Sequence, residues 1–126
     1  MRRFITSYIR WAQVAPPGIK GVPVPDQNHV TVIARFTPAS DRAPQLKALL
    51  EGMIAPTRSE PGCRSYDLYT TETEAPDFVL LERYQDTAAL EAHRTTAHYK
   101  AYRAQLSDLL AKPVEVSVLR PVNVTG

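Results

Sequence analysis

From His29 to Thr37 apolar and polar positions alternate, and Val30, Val32, Ala34 and Phe36 fall on one side. A period of two is that of a strand with one face against a core. After Pro38 the period changes. Leu46, Leu49, Leu50, Met53 and Ile54 recur at the spacing of a single helix face. Ser40 or Asp41 can cap that helix, Pro44 suits its first turn, and Pro56 should end or kink it. Glu60-Pro61-Gly62 reads as a turn. Cys63 to Thr71 alternates again and carries two tyrosines, which predicts a second strand. A polar turn over residues 72–76 leads into a third strand, Asp77 to Tyr84, and the short connection implies a hairpin. Asp86 is placed to cap a short helix through His93. A further helix is expected from Ala97, with Tyr99, Tyr102, Leu106, Leu109 and Leu110 on one face and Lys112-Pro113 as its stop. Val114 to Arg120 is the last strand.

The resulting order, β-α-β-β-α-α-β, predicts an α+β fold on the ferredoxin-like plan, an antiparallel sheet with its helices on one face. The compact domain spans residues 29–121. Residues 1–28 contain Pro16, Pro17, Gly18, Gly21, Pro23 and Pro25 and read as an N-terminal arm or linker, and residues 122–126 as a C-terminal tail. The strands are apolar on both sides: Phe78 and Leu80 point one way, Val79 and Leu81 the other. Helices on one face leave the second apolar face open, which a soluble monomer rarely tolerates. A homodimer packed sheet to sheet would close it, and so in part would the arm.

Composition adds limits. A chain of 126 residues, 44% hydrophobic and 22% charged, makes one ordinary globular domain. A net charge of +2, spread along the chain, gives no reason to expect a nucleic-acid partner. Cys63 is the only cysteine, so no intrachain disulfide can form, and a cytoplasmic location is expected. No stretch is apolar for long enough to span a membrane. Met1-Arg2-Arg3 has the charge of a signal-peptide start, but Thr6, Ser7 and Arg10 interrupt the apolar residues after it, and no such peptide is expected.

Three segments carry a family resemblance. Thr57 to Tyr66, with Glu60-Pro61-Gly62-Cys63 at its centre, Phe78 to Tyr84, and Asp86 to His93 followed by Ala97-His98-Tyr99 resemble, in order and spacing, the antibiotic-biosynthesis-monooxygenase domain. The resemblance covers about residues 29–121. It implies a dimeric α+β barrel of ferredoxin-like subunits, each with a pocket between sheet and helices. Family activities include cofactor-free oxygenation of quinols and polyketides, haem breakdown, and isomerisation of a phosphorylated dione. The Asn of the first strand and the pocket Trp of haem-degrading members are absent: the strand reads Val32-Ile33-Ala34-Arg35-Phe36, and Trp11 lies outside the domain. The resemblance therefore points to a cofactor-independent monooxygenase of a quinol or other small phenol. An isomerase of a small hydroxy-dione and a non-catalytic ligand-binding dimer stand as alternatives.

Candidate chemistry is sparse. His93, three residues after Leu90, shares its inward helix face and titrates near neutral pH, so it is the expected catalytic base; a structural histidine closing the helix is the other reading. Tyr66, Tyr69, Tyr84 and Tyr99 suit a pocket for a flat oxygenated ligand, and equally a core edge, with Tyr66 and Tyr99 first because they fall within the family-like segments. Glu82 sits among Phe78, Leu80 and Tyr84, as a pocket acid or half of a salt bridge. His98 lies about 500° around a continuous helix from His93, which predicts separate faces and no metal pair. Cys63 reads as a small buried residue. Arg35 is a possible donor to an oxyanion, although a carboxylate across a dimer is its commoner partner, and Arg64, Arg83 or Lys100 could hold a phosphate. No metal, flavin or nucleotide motif is present, and no cofactor is expected.

Overall fold

The computed structural model describes residues 28–125, so the arm expected over residues 1–28 lies, but for Asn28, outside the described residues. The elements are β1 (Val30–Phe36), α1 (Ala43–Gly52), α2 (Ile54–Arg58), β2 (Cys63–Thr70), β3 (Phe78–Tyr84), α3 (Thr87–His93), α4 (Ala97–Leu106), a 3-10 turn (Ser107–Leu109) and β4 (Glu115–Leu119). The four strands form one antiparallel sheet in the order β2-β3-β1-β4. This is the α+β ferredoxin-like arrangement expected. No helix among the described residues is long and apolar enough to cross a membrane.

The predicted inward face of β1 is the inward face: Val30, Val32, Ala34 and Phe36 are all buried. Phe78, Leu80, Glu82 and Tyr84 of β3 lie beside them in register, Val32 opposite Glu82 and Val30 opposite Tyr84. Leu46 and Leu50 from α1 and Tyr102 and Leu106 from α4 close the core over these strands. Each fully buried aliphatic or aromatic side chain contributes roughly 1.5–3 kcal/mol.

Two local expectations need correction and one is refined. Neither Ser40 nor Asp41 caps α1; Arg42 holds the cap position without a side-chain bond, and Asp41 takes a left-handed φ of 63° in the turn before it. Short polar side chains tolerate that region better than most. Pro56 breaks the helix upstream of itself: the break comes at Met53, just after Gly52, whose carbonyl would have met the missing N–H of the proline, and Pro56 sits in the first turn of α2. The helix expected to run to Lys112 stops at Leu106 and tightens into the 3-10 turn.

The sheet's other face is apolar as predicted: Leu81 and Leu119 are exposed, with Ile33 and Val79 half-buried beside them. Strand β4 is open on both sides. Val116 and Val118 pair with Ala34 and Val32 on the helix side, yet remain 48% and 46% exposed, because no helix among the described residues reaches across the β4 edge.

Candidate functional site

The turn before β2, the hairpin, α3 and α4 together build the site. Strand β3 alternates, so Glu82 and Tyr84, two residues apart, both point inward, and the Tyr84 hydroxyl donates to Glu82 Oε1 at 2.6 Å. Helix α3 is set by Asp86, whose side chain accepts from the Ala89 amide at 2.8 Å as predicted. Gly62 packs under it so closely that a Cβ there would lie 2.3 Å from the Ala89 side chain. Leu90 and His93 then face inward and are buried.

His93 ends α3 and stands in an aromatic enclosure. Its ring lies 5.1 Å from Tyr99, 5.3 Å from Tyr84 and 6.0 Å from Tyr66, centre to centre. Its Nδ1 does not close the helix. It bonds the Glu60 carboxylate, at 2.8 Å to Oε2 and 3.1 Å to Oε1. That leaves Nε2 as the ring nitrogen not engaged by Glu60. Burial lowers the His93 pKa below its ordinary 6.5, with His98 and Arg94 adding to the effect, while the Glu60 carboxylate opposes it. The imidazole is therefore neutral at pH 7 and able to accept a proton.

Glu60 is a site residue that the sequence marks only as part of a turn, 33 residues from its partner. The same oxygen, Oε2, also meets His98 Nε2 at 2.6 Å. Helical pitch does not relate the two histidines, because no continuous helix joins them: α3 ends at His93 and α4 begins at Ala97. The Thr96 side chain donates to the His93 carbonyl at 2.7 Å and accepts from the Tyr99 amide, so the break is capped on both sides. Two imidazoles meeting one carboxylate are also donors of the kind that hold a metal ion.

An internal cavity of about 40 Å³ lies between sheet and helices, lined among others by Tyr66, Glu82, Leu90, His93, Tyr99 and Tyr102. Of the expected site residues, Tyr66, Glu82, His93 and Tyr99 come together there. Tyr84 stands behind Glu82 as its hydrogen-bond partner. Burial first, then the charge of Glu82, raises Tyr66, Tyr84 and Tyr102 well above the ordinary phenol value, so each keeps its proton. Desolvation pushes Glu82 itself up to about 7, against the opposing bond from Tyr84 and the charge of Arg94. Cys63 is pushed up to about 11 by burial and by Glu60 and Glu82, so it holds an inert thiol.

The cationic candidates are redistributed. Arg35 points to the opposite sheet face and pairs with Asp77 at 2.7 Å, so it cannot serve the cavity. Arg64, Arg83 and Lys100 do not line it; Arg94 and Arg103 do. An outer groove of about 460 Å³, lined by Leu106, Leu110, Lys112 and Pro113, shares Arg103 and Val114 with the cavity.

The chain is thus a ferredoxin-like subunit with a small His–Tyr–Glu cavity between sheet and helices. The family model described as antibiotic biosynthesis monooxygenase matches residues 29–105, and the chain belongs to that family. Among curated proteins it is similar to one of Mycobacterium tuberculosis named "Putative monooxygenase Rv0793", 52% identical over 94 residues, covering 75% of this chain and 92% of the relative. The solved structure of Rv0793 superposes with a TM-score of 0.75 at 50% identity, covering 78% of this chain and 99% of that one. The structure of PA3566 from Pseudomonas aeruginosa gives 0.72 at 31% identity, covering 79% and 100%.

Proposed function

We propose that this protein is a cofactor-independent monooxygenase of a small quinol or other phenol, with His93 as the base. The observation that carries the reading is the His93–Glu60 pair. Glu60 fixes the ring through Nδ1 at 2.8 Å and stabilises the imidazolium that forms when Nε2 takes a proton. His93 removes the phenolic proton, and the electron-rich anion reduces dioxygen: one oxygen atom bonds to a ring carbon, the other leaves as water, and the ring is oxidised to the quinone, so the substrate is itself the reductant. A phenol near pKa 10 and an ordinary imidazole near 6.5 leave this step about 5 kcal/mol uphill, and the lowered pKa of the buried His93 adds to that cost. Protonated Tyr66 and Tyr102 and the guanidinium groups of Arg94 and Arg103 line the cavity as donors that stabilise the phenolate and lower that cost.

Size is part of the reading. A cavity of about 40 Å³ holds a water or two, whereas a void near 150 Å³ is the scale that accepts a benzene ring. Entry therefore moves Arg103 and joins cavity to groove, which reaches the range of ordinary ligand sites, roughly 300–1,000 Å³. The half-exposed Val116 in the cavity wall, together with the apolar outer face, supports a homodimer in which a second copy covers the sheet. Substitution of Leu81 or Leu119 by Glu should then halve the mass measured by light scattering.

Oxygen uptake with a 1,4-hydroquinone, corrected for autoxidation, tests the activity. The wild type should consume oxygen and His93→Ala should lose at least about 100-fold, the lower range for a positioned base. Uptake unchanged in His93→Ala refutes the assignment. One observation favours a second reading. Glu82, pushed up to about 7 in the same cavity, could pair with His93 to shuttle a proton in a small hydroxy-dione. Isomerisation of such a dione, without oxygen uptake, would establish it.

A further inference from the structure

We propose that Glu60, His93 and His98 form a binding site for a divalent transition-metal ion of the zinc class. One donor atom from each lies within 4.8 Å of the others. Two imidazole nitrogens and a carboxylate oxygen are a set that zinc accepts in sites that keep a fourth position open. The donors come from three segments held by separate means. Glu60 lies in the turn before β2, where its backbone carbonyl accepts from the Cys63 amide at 3.1 Å. His93 closes a helix capped by Asp86, and His98 lies in the first turn of a helix capped by Thr96. Exposure rises from 3% at His93 to 13% at Glu60 and 25% at His98. An ion would enter from the His98 side and keep a water there.

Without an ion, both histidine nitrogens meet one carboxylate oxygen, at 2.8 and 2.6 Å. A tetrahedral ion with bonds of about 2.0–2.1 Å holds its ligand atoms about 3.3 Å apart. Loading therefore requires Glu60 to draw back by roughly half an ångström, the histidine nitrogens to close from within 4.8 Å toward that spacing, and the ion to take the place of the shared hydrogen bonds. Metal on Nδ1 of His93 leaves the proton on Nε2, turning that edge from acceptor to donor. The metal-loaded protein would then be unable to use His93 as a base. This consequence rests on the proposed function; binding itself does not.

The test is calorimetric titration of the chelator-treated full-length chain with zinc chloride, alongside cobalt(II) chloride followed by visible absorption. One ion per chain is expected, with the intense absorption of tetrahedral cobalt. Glu60→Gln and His98→Ala should each weaken binding by more than the roughly 10–100-fold that loss of an outer-shell partner costs. Their melting curves without metal show whether the variants remain folded. Absence of binding, or binding that persists in both folded variants, overturns the proposal. Oxygen uptake with the hydroquinone separates the two readings. Turnover by a chain that takes up no ion sinks only the metal site, whereas a chain that binds zinc yet shows no turnover in its metal-free form sinks only the oxygenase.

Discussion

Replacing Glu82 by Gln should make the protein more stable at alkaline pH, and the size of the effect is set by its surroundings. The carboxyl is 7% exposed and sits opposite Val32 with Leu80 and Tyr84 on its own face. Its pKa rises from 4.5 to about 7, chiefly by desolvation. Below pH 4.5 the folded and unfolded chains both hold the proton, and the group adds no pH dependence. Between 4.5 and about 7 the unfolded chain releases the proton while the folded chain keeps it, so stability falls as pH rises. At ~1.4 kcal/mol per pH unit the loss is about 3 kcal/mol, and it stays constant above that window. Gln removes the titration and still accepts the Tyr84 hydroxyl. Urea unfolding of both proteins from pH 4.5 to 8.5 should show nearly equal stability at the acid end and a Gln variant about 3 kcal/mol more stable at the other. His93 titrates with the opposite sign, its lowered pKa adding stability as pH rises through the window below 6.5, but it is common to both proteins and cancels in the difference. A variant less stable at pH 8.5, or a difference that does not change with pH, would refute the reasoning.

Other substitutions test how the site is held. Gly62→Ala places a methyl group against Ala89 and should lower stability by about 1–3 kcal/mol, read from the thermal midpoint, while displacing α3 and reducing any activity of His93. Asp86→Ala removes the cap of that helix and should cost about 1 kcal/mol by denaturant titration. Asp77→Ala breaks the exposed pair with Arg35 on the opposite sheet face, and should change stability by less than about 1 kcal/mol and leave oxygen uptake unaltered.

What can be read in the sequence is what local periodicity encodes. The inward face of β1, the hairpin and the Asp86 cap each depend on residues within a few positions of one another. His93 is legible for the same reason, as the inward residue one turn after Leu90. Its partner is not, because Glu60 meets it only when β2 and β3 pair and α3 folds back over them. A correct helical pitch puts His98 on the wrong side when it is carried across a break that Thr96 caps. Arg35 suggests an oxyanion donor by residue type alone, yet the alternation of its own strand puts it on the opposite face from Ala34 and Phe36.

Two of the contacts concern a carboxylate held largely away from water, Glu82 with Tyr84 and Glu60 with two imidazoles. A chain selected for stability alone has no reason to keep Glu82 in the core, since a glutamine of the same shape makes the same bond at lower cost. Glu60 is the second carboxylate of the site, and it meets two imidazoles through one oxygen. Both carboxylates border one small cavity, one directly and one through His93. Strain of this kind gathers where proton transfer needs groups poised near neutral pH. If Glu82→Gln gains stability while turnover falls, that trade places the chemistry in this cavity rather than in the larger outer groove.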